Sequence, residues 1–84
     1  MTTASEKTTA RVIATYGPGG RVLSTLVVTT VRSAPGQPTV ATEGRACLGR
    51  WANRRLALEA GAAYAEQINR AGFVPSALAE ALGL

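Results

Sequence analysis

Apolar and β-branched residues in the first half of the chain fall into three stretches separated by glycine and proline. The stretches are Arg11–Tyr16, Arg21–Arg32 and Thr39–Leu48, and the segments between them are GPGG and SAPGQP. β-branched and aromatic residues favour extended backbone, and short loops rich in glycine and proline join neighbouring antiparallel strands. The pattern therefore predicts a three-stranded β-meander.

Glycine and proline also indicate where these strands turn or bend. In GPGG, Pro18 presets φ at the first central position of a turn, and Gly19 tolerates the positive φ of the second. We therefore expect a type II turn there. Gly44 interrupts the third stretch, and glycine inside a strand is typical of a bulge or a bend.

The second half of the chain changes to the period of an amphipathic helix. We predict a long helix from about Arg50 to Ala71, ended by Gly72, and a short helix with Pro75 in its first turn and Ser76 as its cap. The predicted buried side of the long helix consists of Ala57, Gly61, Ala65 and Ile68, flanked by Trp51, Leu58 and Tyr64. Small residues on this side let the helix lie close to the sheet.

These elements predict an α+β domain of order β-β-β-α-α, with the long helix packed on the meander. A chain of 84 residues suits one domain, which we place at residues 9–84. The N-terminal MTTASEKTTA has no apolar run, so we predict a flexible tail at residues 1–8 and no secretory signal. Because the chain lacks the run of about 18 apolar residues that spans a membrane, we expect no membrane association. Its single cysteine cannot form an internal disulfide, which suits a reducing compartment, so we expect a cytoplasmic protein.

Both faces of the middle strand are apolar. Leu23, Val27 and Val31 project to one side, and most of the other apolar residues project to the opposite side. The long helix covers only one face, so the second needs either the short helix or another molecule. We therefore predict that Leu23, Val27 and Val31 form a protein interface, either with a partner or in a homodimer through the sheet.

Composition limits the chemistry open to the chain. It contains no histidine and no aspartate, and its five glutamates are scattered. The commonest general base, the commonest metal ligand and a Ser–His–Asp triad are thereby excluded, so we predict a non-enzymatic protein without catalytic residues, metal or cofactor. Cys47 is the only cysteine, and we expect it to be a small buried residue on the third strand.

Arginine gives the strongest indication of a partner. The net charge is +4. Arg50, Arg54 and Arg55 fall at the predicted helix start, where the helix dipole disfavours cations, with Arg50 and Arg54 on one ridge. Arg45 approaches along the preceding strand. One interpretation is an anion or nucleic-acid site formed by these four arginines, and the other is that they only keep the surface soluble.

The order of elements resembles that of several small modules. A meander followed by a helix with basic residues at its start is similar in plan to the C-terminal part of double-stranded-RNA-binding domains and to the arm-binding domains of tyrosine integrases. It also resembles small phage-encoded inhibitors, including anti-CRISPR proteins. No family motif matches, and the basic lysine signature of the RNA-binding domain is absent, so no residue roles carry over.

Two functions remain open at this point. The arginines favour a regulatory protein that binds nucleic acid or a nucleoprotein. The apolar second face and the small size favour an inhibitor or adaptor of the phage or mobile-element type, which acts by occupying a partner's surface.

Overall fold

The computed structural model describes residues 4–84, which form three strands and two helices. These are β1 (Ser5–Tyr16), β2 (Val22–Ser33), β3 (Val40–Trp51), α1 (Arg54–Ala71) and α2 (Ser76–Leu82). The strands form one antiparallel sheet in the order β1-β2-β3, and α1 packs on it. The predicted α+β fold, with element order β-β-β-α-α, is confirmed.

β1 is longer than predicted. It begins at Ser5 and pairs with β2 along its whole length. Thr8 is buried, and its hydroxyl lies 3.0 Å from that of Thr30, so polar residues pair across the two strands here. The prediction of a flexible tail is therefore wrong for Ser5–Thr8, whereas residues 1–3 lie outside the described part of the chain.

β3 contains a bulge, but at Gly49 instead of the predicted Gly44. Leu48 and Gly49 together oppose the single residue Ser24 of β2. Gly49 has a φ of 98°, which side chains disfavour, so glycine suits the extra residue of the bulge. Gly44 pairs in register with Val28.

The β1–β2 hairpin closes at the predicted turn. Pro18–Gly20 forms a short 3₁₀ turn in which Gly19 has φ 74° and ψ 18°. These angles are close to those of the second central position of a type II turn. The N–H of Gly17 donates a hydrogen bond to the carbonyl oxygen of Arg21 at 2.9 Å, which holds the two strand ends together.

α1 begins at Arg54, later than predicted. Asn53 is its N-cap, and the side-chain oxygen of Asn53 accepts a hydrogen bond from the N–H of Leu56 at 2.9 Å. Asparagine is among the residues most favoured at this position. Arg50 and Trp51 are the last residues of β3. The prediction that Arg50 and Arg54 share a helical ridge is therefore wrong, because Arg50 is held extended by strand pairing.

The ends of the helices agree with prediction only in part. Gly72 ends α1 as predicted, with φ 79° and its N–H donating to the carbonyl oxygen of Ile68 at 2.8 Å. Ser76 does not cap α2, because it is already the first helical residue and Pro75 occupies the N-cap position. Within residues 4–84, neither helix combines the length and apolarity needed to cross a membrane.

The core lies between α1 and one face of the sheet. It contains the four helix residues predicted to be buried, which are Ala57, Gly61, Ala65 and Ile68. Leu26 and Val28 of β2 belong to the same cluster. Ser24 is fully buried beside them, and its hydroxyl donates to the backbone carbonyl of Ala57, so this buried polar group is satisfied and also ties the sheet to the helix.

α2 packs on the same face of the sheet as α1. Leu78 and Leu82 contact the core cluster. Leu84 lies over Gly44, so that a Cβ placed on Gly44 would be 3.2 Å from Cδ2 of Leu84. Because Gly44 pairs with the core residue Val28, this contact is on the covered face. Within residues 4–84, the second face of the sheet therefore has no helix on it.

The molecule is elongated, with principal extents of 54 × 24 × 19 Å. Its radius of gyration is 15.0 Å, whereas a compact domain of this length has about 12 Å. The reason is a mismatch of lengths, because the strands span about 40 Å and α1 spans about 27 Å. One end of the sheet therefore extends beyond the helix.

Candidate functional site

The side of the sheet opposite α1, which we call the open face, has neither α1 nor α2 packed on it. Gly61 of α1 lies against Val12 and Leu48, which marks the side of the sheet to which those two residues point as the covered face. Side chains alternate across a strand and paired residues project to the same side. The open face therefore carries the odd-numbered residues of β1 and β2 and their partners on β3.

Cationic side chains are concentrated on the open face. Lys7 and Arg11 project from β1, and Arg45 and Arg50 project from β3. The only acid among the described residues of this face is Glu43, whose carboxylate accepts a hydrogen bond from Nε of Arg45 at 2.8 Å. Four cations and one carboxylate give the face a charge of +3, which is most of the net charge of +4.

The rest of the described surface is close to neutral. Glu6 forms an ion pair with Arg32 at 2.8 Å, and Glu66 forms one with Arg70, the i,i+4 pair expected on the exposed side of α1. The remaining three arginines are balanced in part by two further glutamates. The positive charge of the chain is therefore localised and not spread evenly.

Val27 lies at the centre of the open face between Arg11 and Arg45, its direct partners on β1 and β3. It has no accessible surface although neither helix of the described chain covers this face. We attribute its burial to the aliphatic parts of the two arginines, which cover apolar neighbours while their charged ends stay in water. Val27 is therefore not accessible by itself in the monomer, and its contact with a partner stays a prediction.

The four arginines predicted to form one cluster occupy two different surfaces. Arg45 and Arg50 lie on the open face. Arg54 and Arg55 are exposed residues in the first turn of α1, where they have no acidic neighbour in that turn. The chain passes from the sheet to the helix between Arg50 and Arg54, so the predicted cluster is divided.

A comparison with known protein families, curated proteins and solved structures gives no match for this chain. What the open face can bind therefore has to follow from its own chemistry. Guanidinium groups donate paired hydrogen bonds to phosphate and carboxylate oxygens. Four cations spread along about 27 Å of sheet, from the level of Val31 to that of Leu23, suit a long polyanion better than a small anion.

Apolar side chains lie among these cations. Val31 is 37% exposed, and Leu23 and Ile13 are half-buried. Leu23 and Val31 are thus partly accessible at the predicted interface. Cys47 also lies on this face and is exposed, so the prediction that it is buried is wrong. Cys47 lies on the open face because it pairs with Thr25, and the side chain of Thr25 points away from the core.

Lys7 and Arg11 are the members of this face that the sequence analysis missed. Lys7 falls in the predicted tail, and Arg11 is the first residue of the predicted first strand. The available signal was alternation, because Lys7, Thr9, Arg11 and Ile13 all fall on one side of an extended chain. That side became recognisable as a surface only once β1 was known to start at Ser5.

Proposed function

We propose that this protein binds duplex DNA through the open face of its sheet. The observation that carries the proposal is the charge of +3 on that face, formed by Lys7, Arg11, Arg45 and Arg50 against Glu43. Phosphate groups of a nucleic-acid backbone supply the anions that such a surface lacks, and release of counterions from the backbone drives the association. The activity is binding, with sequence-independent phosphate contacts as its main source of affinity.

The dimensions of the face favour duplex DNA over other nucleic acids. Two neighbouring strands of the sheet lie about 5 Å apart, and a ribbon of two strands fits the ~12 Å width of the major groove of B-DNA, into which some proteins insert β-strands. The deep, narrow major groove of duplex RNA does not admit such an element. Single strands are bound by stacking on aromatic side chains, and the open face as described carries none.

In the proposed complex the central cations and the terminal cations of the open face contact different parts of the duplex. Arg11 and Arg45 stand on opposite sides of β2 at the centre, so they reach phosphates on both sides of a groove. Lys7 and Arg50 stand near opposite ends of the face and fix the direction of the sheet along the duplex. Threonine hydroxyls between them, such as those of Thr25 and Thr29, can bond to phosphates or base edges.

A second candidate function is a protein-binding inhibitor or adaptor. The observation that favours it is the partial exposure of Ile13, Leu23 and Val31 among the cations of the open face. A mixture of apolar and basic side chains suits an acidic protein surface as well as a phosphate backbone. Purification from the native host distinguishes the two, because nucleic acid raises the absorbance ratio and a protein partner gives a second band.

The salt dependence of binding to a short random-sequence duplex tests the proposed function. Four phosphate contacts give a slope of log K against log salt of about −3.6, so the affinity falls about 150-fold between 50 and 200 mM salt. Fluorescence anisotropy titrations at several salt concentrations measure this slope. Absence of binding at 50 mM salt, or a slope near zero, would rule out binding through the phosphates.

A further inference from the structure

The two edge strands of the sheet, β1 and β3, differ in whether their outward-pointing N–H and C=O groups have hydrogen-bond partners. The side chain of Asn69 closes the edge of β1, because its Oδ1 accepts from the N–H of Ala10 at 2.7 Å and its Nδ2 donates to the carbonyl oxygen of Ala10 at 3.0 Å. An edge residue with both backbone groups engaged cannot pair with another strand. β1 is therefore blocked at its middle.

The edge of β3 is open. In an antiparallel sheet, successive residues direct their backbone groups alternately to one side and to the other. Ala10 points outward, so its partner Val28 directs its groups to Gly44 of β3. In the part of β3 that precedes its bulge, the residues whose N–H and C=O groups point outward are therefore Ala41, Glu43, Arg45 and Cys47. Within residues 4–84, none of these backbone groups has a hydrogen-bond partner.

We propose that two copies of this chain form a dimer by pairing β3 with β3, antiparallel about a two-fold axis at Gly44. In this register Glu43 of each copy lies opposite Arg45 of the other, and Ala41 lies opposite Cys47. Each of these four residues then lies opposite an outward-pointing residue of the other copy. The N–H and C=O groups of this stretch can therefore form hydrogen bonds between the two copies. The product is one continuous six-stranded sheet.

Charge complementarity favours a second copy of this chain as the partner of the β3 edge, and it favours the register centred on Gly44. With the axis at Gly44, two Glu–Arg pairs face each other across the new strand pair, and each such pair is stabilising. Both side chains are exposed, Arg45 by 59% and Glu43 by 40%, so although they pair with each other within one copy, each can also contact its counterpart across the axis. A register centred on Arg45 would instead place two like charges directly opposite each other. A second copy therefore fits this edge in a way that a chain of arbitrary sequence does not.

The surface of the monomer supports the same assignment. Leu84 lies over Gly44 on the covered face and is 42% exposed, so the proposed axis brings the two leucines together. The dimer thus accounts for an unpaired edge strand and an exposed apolar residue together.

The edge dimer differs from the homodimer predicted through Leu23, Val27 and Val31, because it leaves the open face free. It joins two open faces side by side into one surface. The dimer does not depend on the proposed binding of DNA.

Charge-swap variants test the dimer in sedimentation-velocity experiments on the full chain. Glu43→Arg and Arg45→Glu each place like charges across the axis, so each variant alone is expected to dimerise at least about tenfold more weakly than the wild type. In an equimolar mixture of the two variants, a mixed dimer places opposite charges across the axis at both pairs of positions 43 and 45. The mixture is therefore expected to dimerise like the wild type. A wild type that stays monomeric, or a mixture that behaves like the separate variants, would overturn the proposal.

A cross-link then tests the register. Ala41→Cys places a thiol opposite Cys47 of the second copy, at a Cα separation of about 5.5 Å that a disulfide can span. Treatment with diamide is expected to convert this variant into a covalent dimer that dithiothreitol reverses. The matched control Ala41→Cys with Cys47→Ser should stay uncross-linked. Failure of Ala41→Cys to cross-link, or equal cross-linking of the control or of the wild type, would contradict a register centred on Gly44.

Discussion

Replacing Gly61 with leucine is expected to lower the free energy of unfolding by about 1–3 kcal/mol. A Cβ on Gly61 would lie 2.6 Å from Cγ2 of Val12 and 2.7 Å from Cδ1 of Leu48, closer than carbon atoms approach. Both neighbours are side chains of the sheet, so any larger residue separates α1 from β1 and β3. Urea unfolding followed by circular dichroism measures the change.

The control for this substitution is Ala62→Leu, one position further along α1. Ala62 is exposed, and leucine is a good helix former, so its unfolding curve should match the wild type within about 0.5 kcal/mol. An unchanged stability for Gly61→Leu would mean that α1 does not press on the sheet at this point. Equal losses in both variants would show a general effect of added apolar bulk.

Reversing two charges of the open face is expected to abolish binding to duplex DNA. Lys7→Glu with Arg50→Glu changes the face from +3 to −1, because each reversal removes one positive charge and adds one negative charge. Neither residue flanks Val27, so the substitutions leave the burial of that residue intact. We expect the affinity at 50 mM salt to fall more than about 100-fold, since attraction to the backbone becomes repulsion. Anisotropy titrations measure the loss, and a thermal melt checks the fold.

Arg54→Glu with Arg55→Glu is the matched control. It gives the same net charge for the chain, but it changes the first turn of α1 and leaves the open face at +3. Acids are favoured at a helix N-terminus, so this variant is expected to be slightly more stable and to keep most of its affinity. Loss of binding in this variant alone would move the DNA site to the helix start.

The proposed dimer and the proposed DNA binding can be tested independently of each other. A dimer through β3 places two open faces in one sheet, so the dimer carries twice the charge toward a duplex. The Glu43→Arg variant distinguishes the two proposals, because it is expected to weaken dimerisation while it adds positive charge to each open face. Failure of the dimer would leave the salt dependence of the monomer unaffected, and failure of DNA binding would leave the sedimentation result unaffected.

Much of the fold follows from local sequence. The β-branched residues of β2, the GPGG and SAPGQP segments, and the helical spacing of Ala57, Gly61, Ala65 and Ile68 are sufficient to predict the order of elements and the buried side of α1. Gly72 was likewise recognisable as the end of α1. These features depend on the backbone preferences of single residues and on the spacing of residues a few positions apart, and both can be read from the sequence.

The ends of the strands and the composition of the candidate site were decided by tertiary structure. Lys7 joins the open face because β1 pairs with β2 up to Ser33, and Arg50 leaves the helix because β3 continues to Trp51. Whether a polar segment frays or pairs depends on a partner strand more than twenty residues away, so no local pattern fixes it. Asn69 illustrates the same limit, since its closure of β1 at Ala10 joins residues 59 positions apart. The sequence by itself determined which elements form and which side of the helix is buried, whereas only the packed sheet determined which charges share a surface and which edge stays open.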